Sequence, residues 1–174
     1  MSKKLFSIFA AALFLAGCAS GVKHEPSQTA ANVSLSANNQ VDSVSLSMTD
    51  DAKKKVADNL KFNPDELLNH VKRALEANSL INSYADMHRP DLEIQVKDIR
   101  VRSNFSAVMW GFLAGADSVV ADIILKDSAG TELDRFEVSA SYALGGLGGG
   151  QDDARMGWLY EKFAEETVKE LTKQ

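Results

Sequence analysis

The single thiol of this chain, Cys18, is the side chain whose position best defines a chemistry. A lysine pair near the start, an apolar run at residues 5–16 and the small residue Gly17 precede it. This order is typical of an export signal, and the run is shorter than the roughly 20 apolar residues of a membrane span. The sequence therefore predicts a cleaved signal peptide at residues 1–17.

The residues Leu15-Ala16-Gly17-Cys18 resemble the lipobox of bacterial lipoproteins. That resemblance implies a covalent lipid on Cys18, and no other cofactor is expected. Two or three acyl chains would anchor the protein stably, because each buried methylene contributes about 0.8 kcal/mol. In such lipoproteins a residue other than Asp after the cysteine, here Ala19, favours the periplasmic face of the outer membrane over the inner membrane. An ordinary signal with an incidental cysteine is the alternative.

The charge of the mature chain limits its partners. Cleavage would remove 17 of the 174 residues and leave 157, which suits one domain with a single core. Loss of the two signal-peptide lysines lowers the basic residues from 19 to 17 against 24 acidic ones, a net charge of −7. Nucleic-acid binding depends on neutralising phosphates, so this charge argues against a nucleic-acid partner.

Composition divides the mature chain into two parts. Residues 19–42 are mostly small or polar, and we expect a lipid anchor and flexible tether at residues 18–42. A flexible chain of about 24 residues reaches roughly 25–30 Å. A single α+β periplasmic domain is predicted at residues 43–174.

Alternating apolar residues predict four strands. They lie around Val44–Met48, residues 92–101, residues 119–126 and residues 136–142. A phase slip at Lys97-Asp98 indicates a β-bulge in the second strand. The turn sequence at residues 127–130 predicts an antiparallel hairpin of the third and fourth strands.

Helix signals lie on both sides of these strands. Asn63 and Pro64 predict a capped helix that ends near Asn78. A short helix through Leu60, capped by Asp50 or Asp51, is also predicted. A long final helix opens at Asp152-Asp153 and carries apolar residues at three-to-four spacing as far as Leu171.

These elements predict the fold class. The order β-α-β-β-β-α describes an α+β fold, in which a small, mainly antiparallel sheet of about four strands has two long helices packed on one face.

No catalytic or metal-binding constellation is visible in the sequence. His24, His70 and His88 lack a second ligand at the spacing that a metal site needs. No serine lies in a G-x-S-x-G elbow, and lipidation uses the only thiol. We therefore expect a protein that is not an enzyme and holds no metal. Lys97, Arg100 and Arg102 are expected to form a solvated stripe along the second strand.

The most unusual part of the mature chain is the apolar stretch at residues 107–116. It is either a bent strand and turn in the core or an exposed patch for a partner or a lipid. The patch would consist of Met109, Trp110, Phe112 and Leu113, with Trp158 at its border. The glycine-rich run at residues 145–150 is interpreted as a flexible connection or a close backbone passage rather than a phosphate cradle. No Lys-Ser or Lys-Thr follows it, and Asp152 and Asp153 would repel an anion.

Three short segments carry a family resemblance: Phe62–Leu67, Gly111–Asp117 and Arg135–Ala140, followed by the glycine-rich run. With the lipobox, they resemble bacterial lipoproteins classed as domain of unknown function 4410. The resemblance implies a small α+β periplasmic domain and assigns no functional residues. The resulting hypothesis is a non-enzymatic, membrane-anchored envelope lipoprotein that acts as an interaction or assembly module for a periplasmic protein partner. The alternative is a carrier whose residues 107–116 and glycine-rich loop hold a lipid-like ligand.

Overall fold

A computed structural model describes residues 20–24, 33–59, 61–81, 89–103, 115–143 and 152–173. These ranges contain five strands and three helices: β1 (Gly21–Lys23), β2 (Val44–Met48), α1 (Asp50–Asp58), α2 (Pro64–Ala77), β3 (Asp91–Arg100), β4 (Asp117–Lys126), β5 (Glu132–Tyr142) and α3 (Asp152–Leu171). The predicted α+β class is confirmed. Strand β1 is additional, and α1 is the short helix expected after the first predicted strand.

The five strands form one mixed sheet in the order β1-β5-β4-β3-β2. All neighbours are antiparallel except β2 and β3, which are parallel. Parallel neighbours need a crossover connection, and α1 with α2 supplies it. The predicted hairpin of β4 and β5 is present, and its turn is fixed by Asp127, whose side chain accepts hydrogen bonds from the backbone N–H groups of Ala129 and Thr131.

The predicted bulge in β3 is also present. The register of β3 against β4 shifts between Val96 and Asp98. The extra residue keeps apolar side chains on the core face on both sides of the shift. Four of them are buried: Leu92, Ile94, Val96 and Ile99.

Side-chain caps start two of the helices. The Asn63 side chain accepts hydrogen bonds from the N–H groups of Asp65 and Glu66, as the sequence predicts for α2. Helix α1 is present as predicted, but its predicted cap is wrong, because Thr49 and not an aspartate caps it. The extended backbone of Thr49 lets its hydroxyl accept from the N–H of Ala52.

The core lies between one face of the sheet and helices α2 and α3. Alternate residues of each strand point into it, as expected for a sheet with one covered face. The α2 residues Leu67, Val71 and Leu75 are buried, and so are Leu159, Tyr160 and Phe163 of α3. The predicted packing of two long helices on one face is confirmed. Among the described residues, no helix combines the length and the apolar character needed to cross a bilayer.

The segment expected to be a tether contacts the domain at several described residues. Strand β1 is paired with the middle of β5, and Leu35 and Val41 are buried in the core. The Leu35 N–H donates to the carbonyl of Leu171 at 2.7 Å. The expectation of a loose chain at residues 18–42 is therefore wrong for these residues, because their few apolar side chains and backbone groups find partners on the sheet and on α3.

Candidate functional site

One end of the sheet gathers most of the features with functional potential. There β4 begins with Asp117, and its partner strand β5 ends with Tyr142. We call this the Tyr142 end. The connections from β3 to β4 and from β5 to α3 both leave the sheet there, and α3 begins there.

A buried charge cluster lies at the Tyr142 end. The Asp117 carboxylate accepts the backbone N–H of Arg102 at 2.7 Å and the Nη2 of the same residue at 2.9 Å. The Nε of Arg155, in the first turns of α3, lies 3.2 Å from Asp117 Oδ2. All three side chains are at most 2% exposed. Charges at this depth are stable in a fold only when they are paired and hydrogen-bonded.

The cluster joins the ends of the two connections at residues 104–114 and 144–151. Arg102 Nη1 donates to the carbonyls of Gly115 and Ala143, at 2.9 and 3.2 Å. Arg155 Nη2 donates to the carbonyl of Arg102 at 3.2 Å. Chain positions before and after both connections are thus held by the same three side chains.

Gly115 is required by this arrangement. Its φ of +86° lies in the left-handed region, which favours glycine. A Cβ at this position would also lie 2.8 Å from Nη2 of Arg100. The carbonyl that Arg102 binds is therefore presented by a backbone conformation that other residues rarely adopt.

The N-terminal strand places the start of the described chain at the same end. Ser20 Oγ accepts the N–H of Ser141 at 3.3 Å, and the carbonyl of Gly21 accepts the Ser139 hydroxyl at 3.2 Å. Ser20 is the second residue after Cys18. Cys18 itself lies outside the described residues.

An aromatic pair covers the neighbouring part of α3. The Tyr142 and Trp158 rings are 5.1 Å apart and tilted by 47°. Trp158 is 43% exposed, and it is the only large hydrophobic side chain classed as exposed within the described ranges. The predicted patch residues Met109, Trp110, Phe112 and Leu113 lie outside the described residues, and so does the glycine-rich run.

The opposite end of the domain carries a groove of about 370 Å³ between β1, β5 and the end of α3. His24 Nε2 lies 2.8 Å from Glu170 Oε1, so the chain after β1 is tied to the last turn of α3. Burial alone would raise the pKa of Glu170, but hydrogen bonds from Lys173 and His24 hold that pKa below its usual value. The His24 side chain is itself 48% exposed, so this link lies at the surface.

The sheet face opposite α2 and α3 carries a network of half-buried ion pairs. Lys97 Nζ lies 2.6 Å from carboxylate oxygens of both Asp122 and Glu137, and Arg135 joins Asp122 to Glu132. Burial alone would lower the pKa of Lys97, but the two carboxylates raise it. The prediction of a solvated stripe is wrong for Arg102, which is buried against Asp117, because that residue lies past the end of β3.

The described histidines have structural contacts. The His70 ring lies 5.8 Å from that of Tyr160, and burial and Arg73 lower the His70 pKa. The Tyr160 hydroxyl accepts the N–H of Asn63 at 2.7 Å, and burial raises the pKa of Tyr160 to about 12. Within the described ranges, no three His, Cys, Asp or Glu side chains are grouped as a metal site would require. His88 lies outside these ranges.

The family model for the domain of unknown function DUF4410 matches residues 26–146 of the chain. The chain belongs to the DUF4410 family. The matched range contains β2 to β5 and the Arg102–Asp117 pair, whereas α3 with Arg155 and Trp158 follows it. No curated protein matches this DUF4410 chain.

Solved structures show the same fold. A dodecamer of a leucine-to-methionine point variant of PelC from Paraburkholderia phytofirmans matches with a TM-score of 0.50 and 13% identity, over 90% of this chain and 99% of that chain. A second PelC dodecamer from the same organism matches with a TM-score of 0.49 and 12% identity, over the same shares. A minor lipoprotein from Acinetobacter baumannii gives 0.49 and 11%, over 77% of this chain and 92% of its own. At 13% identity, the match to the PelC variant shows a likeness of fold alone.

Proposed function

We propose that the protein is an envelope lipoprotein without enzymatic activity, anchored through a lipid on Cys18 to the periplasmic face of the outer membrane. The observation that carries this proposal is the sequence Leu15-Ala16-Gly17-Cys18, which ends two residues before the chain joins the sheet. The domain then serves as an interaction or assembly module for a periplasmic protein. Membership of DUF4410 and the fold shared with PelC support this class of protein.

Membrane fractionation tests the anchor. Cys18→Ser should release the protein from the membrane fraction, whereas Ala19→Ser, which keeps the cysteine, should leave it there. Intact-mass analysis of the parent protein should show the mass of the acyl chains on Cys18, the first residue of the mature chain. An unmodified cysteine in membrane-derived material would overturn the proposal.

Sorting to the outer membrane is tested at the next residue. In lipoproteins with this type of signal, Asp after the cysteine retains the protein in the inner membrane. Ala19→Asp should therefore move the protein from the outer to the inner membrane fraction while the anchor stays intact. An unchanged distribution would contradict the proposed sorting.

Assembly is the proposed role of the domain. The PelC structure with this fold is a dodecamer, and a closed ring of identical subunits is one form that such a module can take. Native mass spectrometry of the detergent-extracted, lipidated protein, and cross-linking in cells followed by affinity capture, would show self-association or a second protein. A monomer without captured protein would contradict an assembly role.

A carrier of a lipid-like ligand is the second candidate. It is favoured by one observation: the chain positions flanking residues 104–114 and 144–151 are held together by the buried cluster of Arg102, Asp117 and Arg155. Native mass spectrometry of the delipidated domain should then show a co-purifying mass. A clean spectrum of the bare chain would exclude the carrier.

A further inference from the structure

We infer that the Tyr142 end of the domain faces the membrane and that strand β1 holds it there in one orientation. The occupant of this surface is the headgroup region of the bilayer that carries the protein's own lipid. The inference rests on the proposed anchor at Cys18 and adds an orientation and a contact surface to it. The surface is defined by Ser20, Tyr142 and Trp158.

The length of chain between Cys18 and the sheet sets the distance between the bilayer and the domain. One residue, Ala19, separates Cys18 from Ser20, so the two Cα atoms lie at most about 7 Å apart. From Ser20 to His24 the chain is fixed, because Gly21–Lys23 pair with Glu137–Ser139 and His24 binds Glu170. A loose tether of about 24 residues would instead allow roughly 25–30 Å of movement. The lipid anchor is therefore attached to the domain at one corner of the sheet, and it keeps that corner close to the bilayer.

The aromatic pair is suited to this contact. Tyrosine and tryptophan concentrate at membrane interfaces, because one part of each side chain is apolar and the other forms hydrogen bonds. Trp158 lies six residues after the start of α3, about 9 Å along the helix axis. Long side chains on a helix lean toward its N-terminus, which directs the indole toward the Tyr142 end.

The charge at the corner formed by β4, β5 and α3 favours the same contact, whereas the exposed Arg100 and the Lys55–Asp98 pair lie at the β3 side of this end. The charged side chains of Arg102, Asp117 and Arg155 are buried and bind one another. The connections at residues 104–114 and 144–151 contain no charged residue in their sequences. The exposed Asp153 on the first turn of α3 keeps this surface at headgroup depth and out of the hydrocarbon.

The opposite end is unsuited to lipid contact. It carries charged side chains on several elements: Asp91, Lys126, Asp127, Glu132, Glu170 and Lys173. Strand β4 has ten residues, so this end lies about 30 Å from the Tyr142 end.

Fluorescence of the lipidated protein in vesicles tests the orientation. Trp110→Phe leaves Trp158 as the only tryptophan, and the vesicles contain phosphatidylethanolamine and phosphatidylglycerol with brominated acyl chains. We expect loss of Trp158 fluorescence and an emission maximum at shorter wavelength than in the detergent-free Cys18→Ser form. The matched control is Ser128→Trp in a background with both native tryptophans changed to Phe. It places the probe in the exposed β4–β5 turn at the far end, and its fluorescence should stay unchanged.

A linker insertion tests the role of β1. About ten Gly and Ser residues inserted after Ala19 add roughly 17 Å of reach, and Trp158 quenching should fall. The same residues inserted after Gln28, beyond β1, should leave the quenching unchanged. Equal quenching in both insertion variants would overturn the claim that β1 sets the orientation.

The outcomes separate the two proposals. Vesicle flotation is measured on every sample. If the protein does not float, the lipid anchor fails and the proposed function fails with it. If it floats and Trp158 is unquenched, or the Ser128→Trp probe is quenched equally, the anchor stands and the orientation is wrong. If Trp110→Phe does not fold, a spin label is attached to Trp158→Cys instead. Greater accessibility of the label to a lipid-soluble than to a water-soluble relaxation agent would support the orientation, and the reverse would overturn it.

Discussion

Arg102 and Asp117 form a two-point contact inside the protein, in which one carboxylate binds both the backbone and the guanidinium of the same arginine. The side chains come from the two sides of residues 104–114. This ion pair therefore closes that connection at its base. The main role of the pair is to fix the positions of these two chain segments, because a buried ion pair adds little net stability over apolar residues of equal volume.

Asp117→Asn should destabilise the domain strongly. Removing the charge leaves two buried guanidinium groups without their shared carboxylate, and loss of one partner of a buried pair costs about 3–5 kcal/mol. Urea unfolding of the soluble Cys18→Ser form measures the free energy of unfolding. As a control, Glu165→Gln removes a partner of Lys162 on the surface of α3 and should change stability by no more than about 0.5 kcal/mol. Equal effects of the two substitutions would contradict the structural role of Asp117.

Tyr160→Phe should remove the hydrogen bond that fixes the start of α2. The Tyr160 hydroxyl accepts the N–H of Asn63 in a partly buried hydrogen bond, and loss of such a bond costs about 0.5–1.5 kcal/mol. The parent protein should also show one tyrosine that ionises near pH 12, because burial raises its pKa. Absorbance titration measures this component, which should be absent from the variant. If the parent and Tyr160→Phe show the same absorbance component near pH 12, the tyrosine with the raised pKa is not Tyr160.

Glu93 should contribute a stability that disappears in acid. Hydrogen bonds from Lys126 and Ser47 hold its pKa below the usual 4.5. A carboxyl with a lowered folded-state pKa stabilises the fold above the unfolded pKa, and this is lost as the pH falls through the folded value. Glu93→Gln should therefore be less stable than the parent at neutral pH, and the difference should narrow between about pH 5 and about pH 2.

Urea unfolding across this pH range measures the effect of Glu93. Lys126→Met, which removes the main hydrogen-bond donor, should show the same narrowing. If the difference in free energy of unfolding between Glu93→Gln and the parent stays constant with pH, the substitution acts through packing and not through the titration of Glu93.

Local signals were sufficient for much of the fold. The Asn63-Pro64 pair predicts the start of α2, and the phase slip at Lys97-Asp98 predicts the bulge, because each depends on a few neighbouring residues. The apolar alternation of β2, β4 and β5 depends in the same way on one buried face. These elements could be derived from sequence alone.

Features that depend on distant partners were missed. Strand β1 has only three residues, Gly-Val-Lys, and no alternation can be read from so short a segment. It is a strand because β5 offers a free edge. The Arg102–Asp117 pair was missed for the same reason, since an arginine after a strand looks solvent-exposed until the fold brings Asp117 and α3 against it. Of the residues gathered at the Tyr142 end, only Trp158 was named as a site residue from the sequence, and the lipid on Cys18 stays a prediction.

Val22→Ala should loosen β1 without unfolding the domain. Val22 is paired with Val138, and its half-buried side chain packs against the core. Each buried methyl contributes about 0.8 kcal/mol, and β1 is joined to the sheet along only one edge. Edge elements open locally at lower free energy than the core, so hydrogen exchange of the β1 amides should become faster while amides of β4 keep their protection. The matched control is Val120→Ala in central strand β4, a half-buried position, and it should leave β1 exchange unchanged. If Val22→Ala accelerates exchange equally in β1 and β4, the strand opens only with the whole domain, and its attachment is part of the global fold.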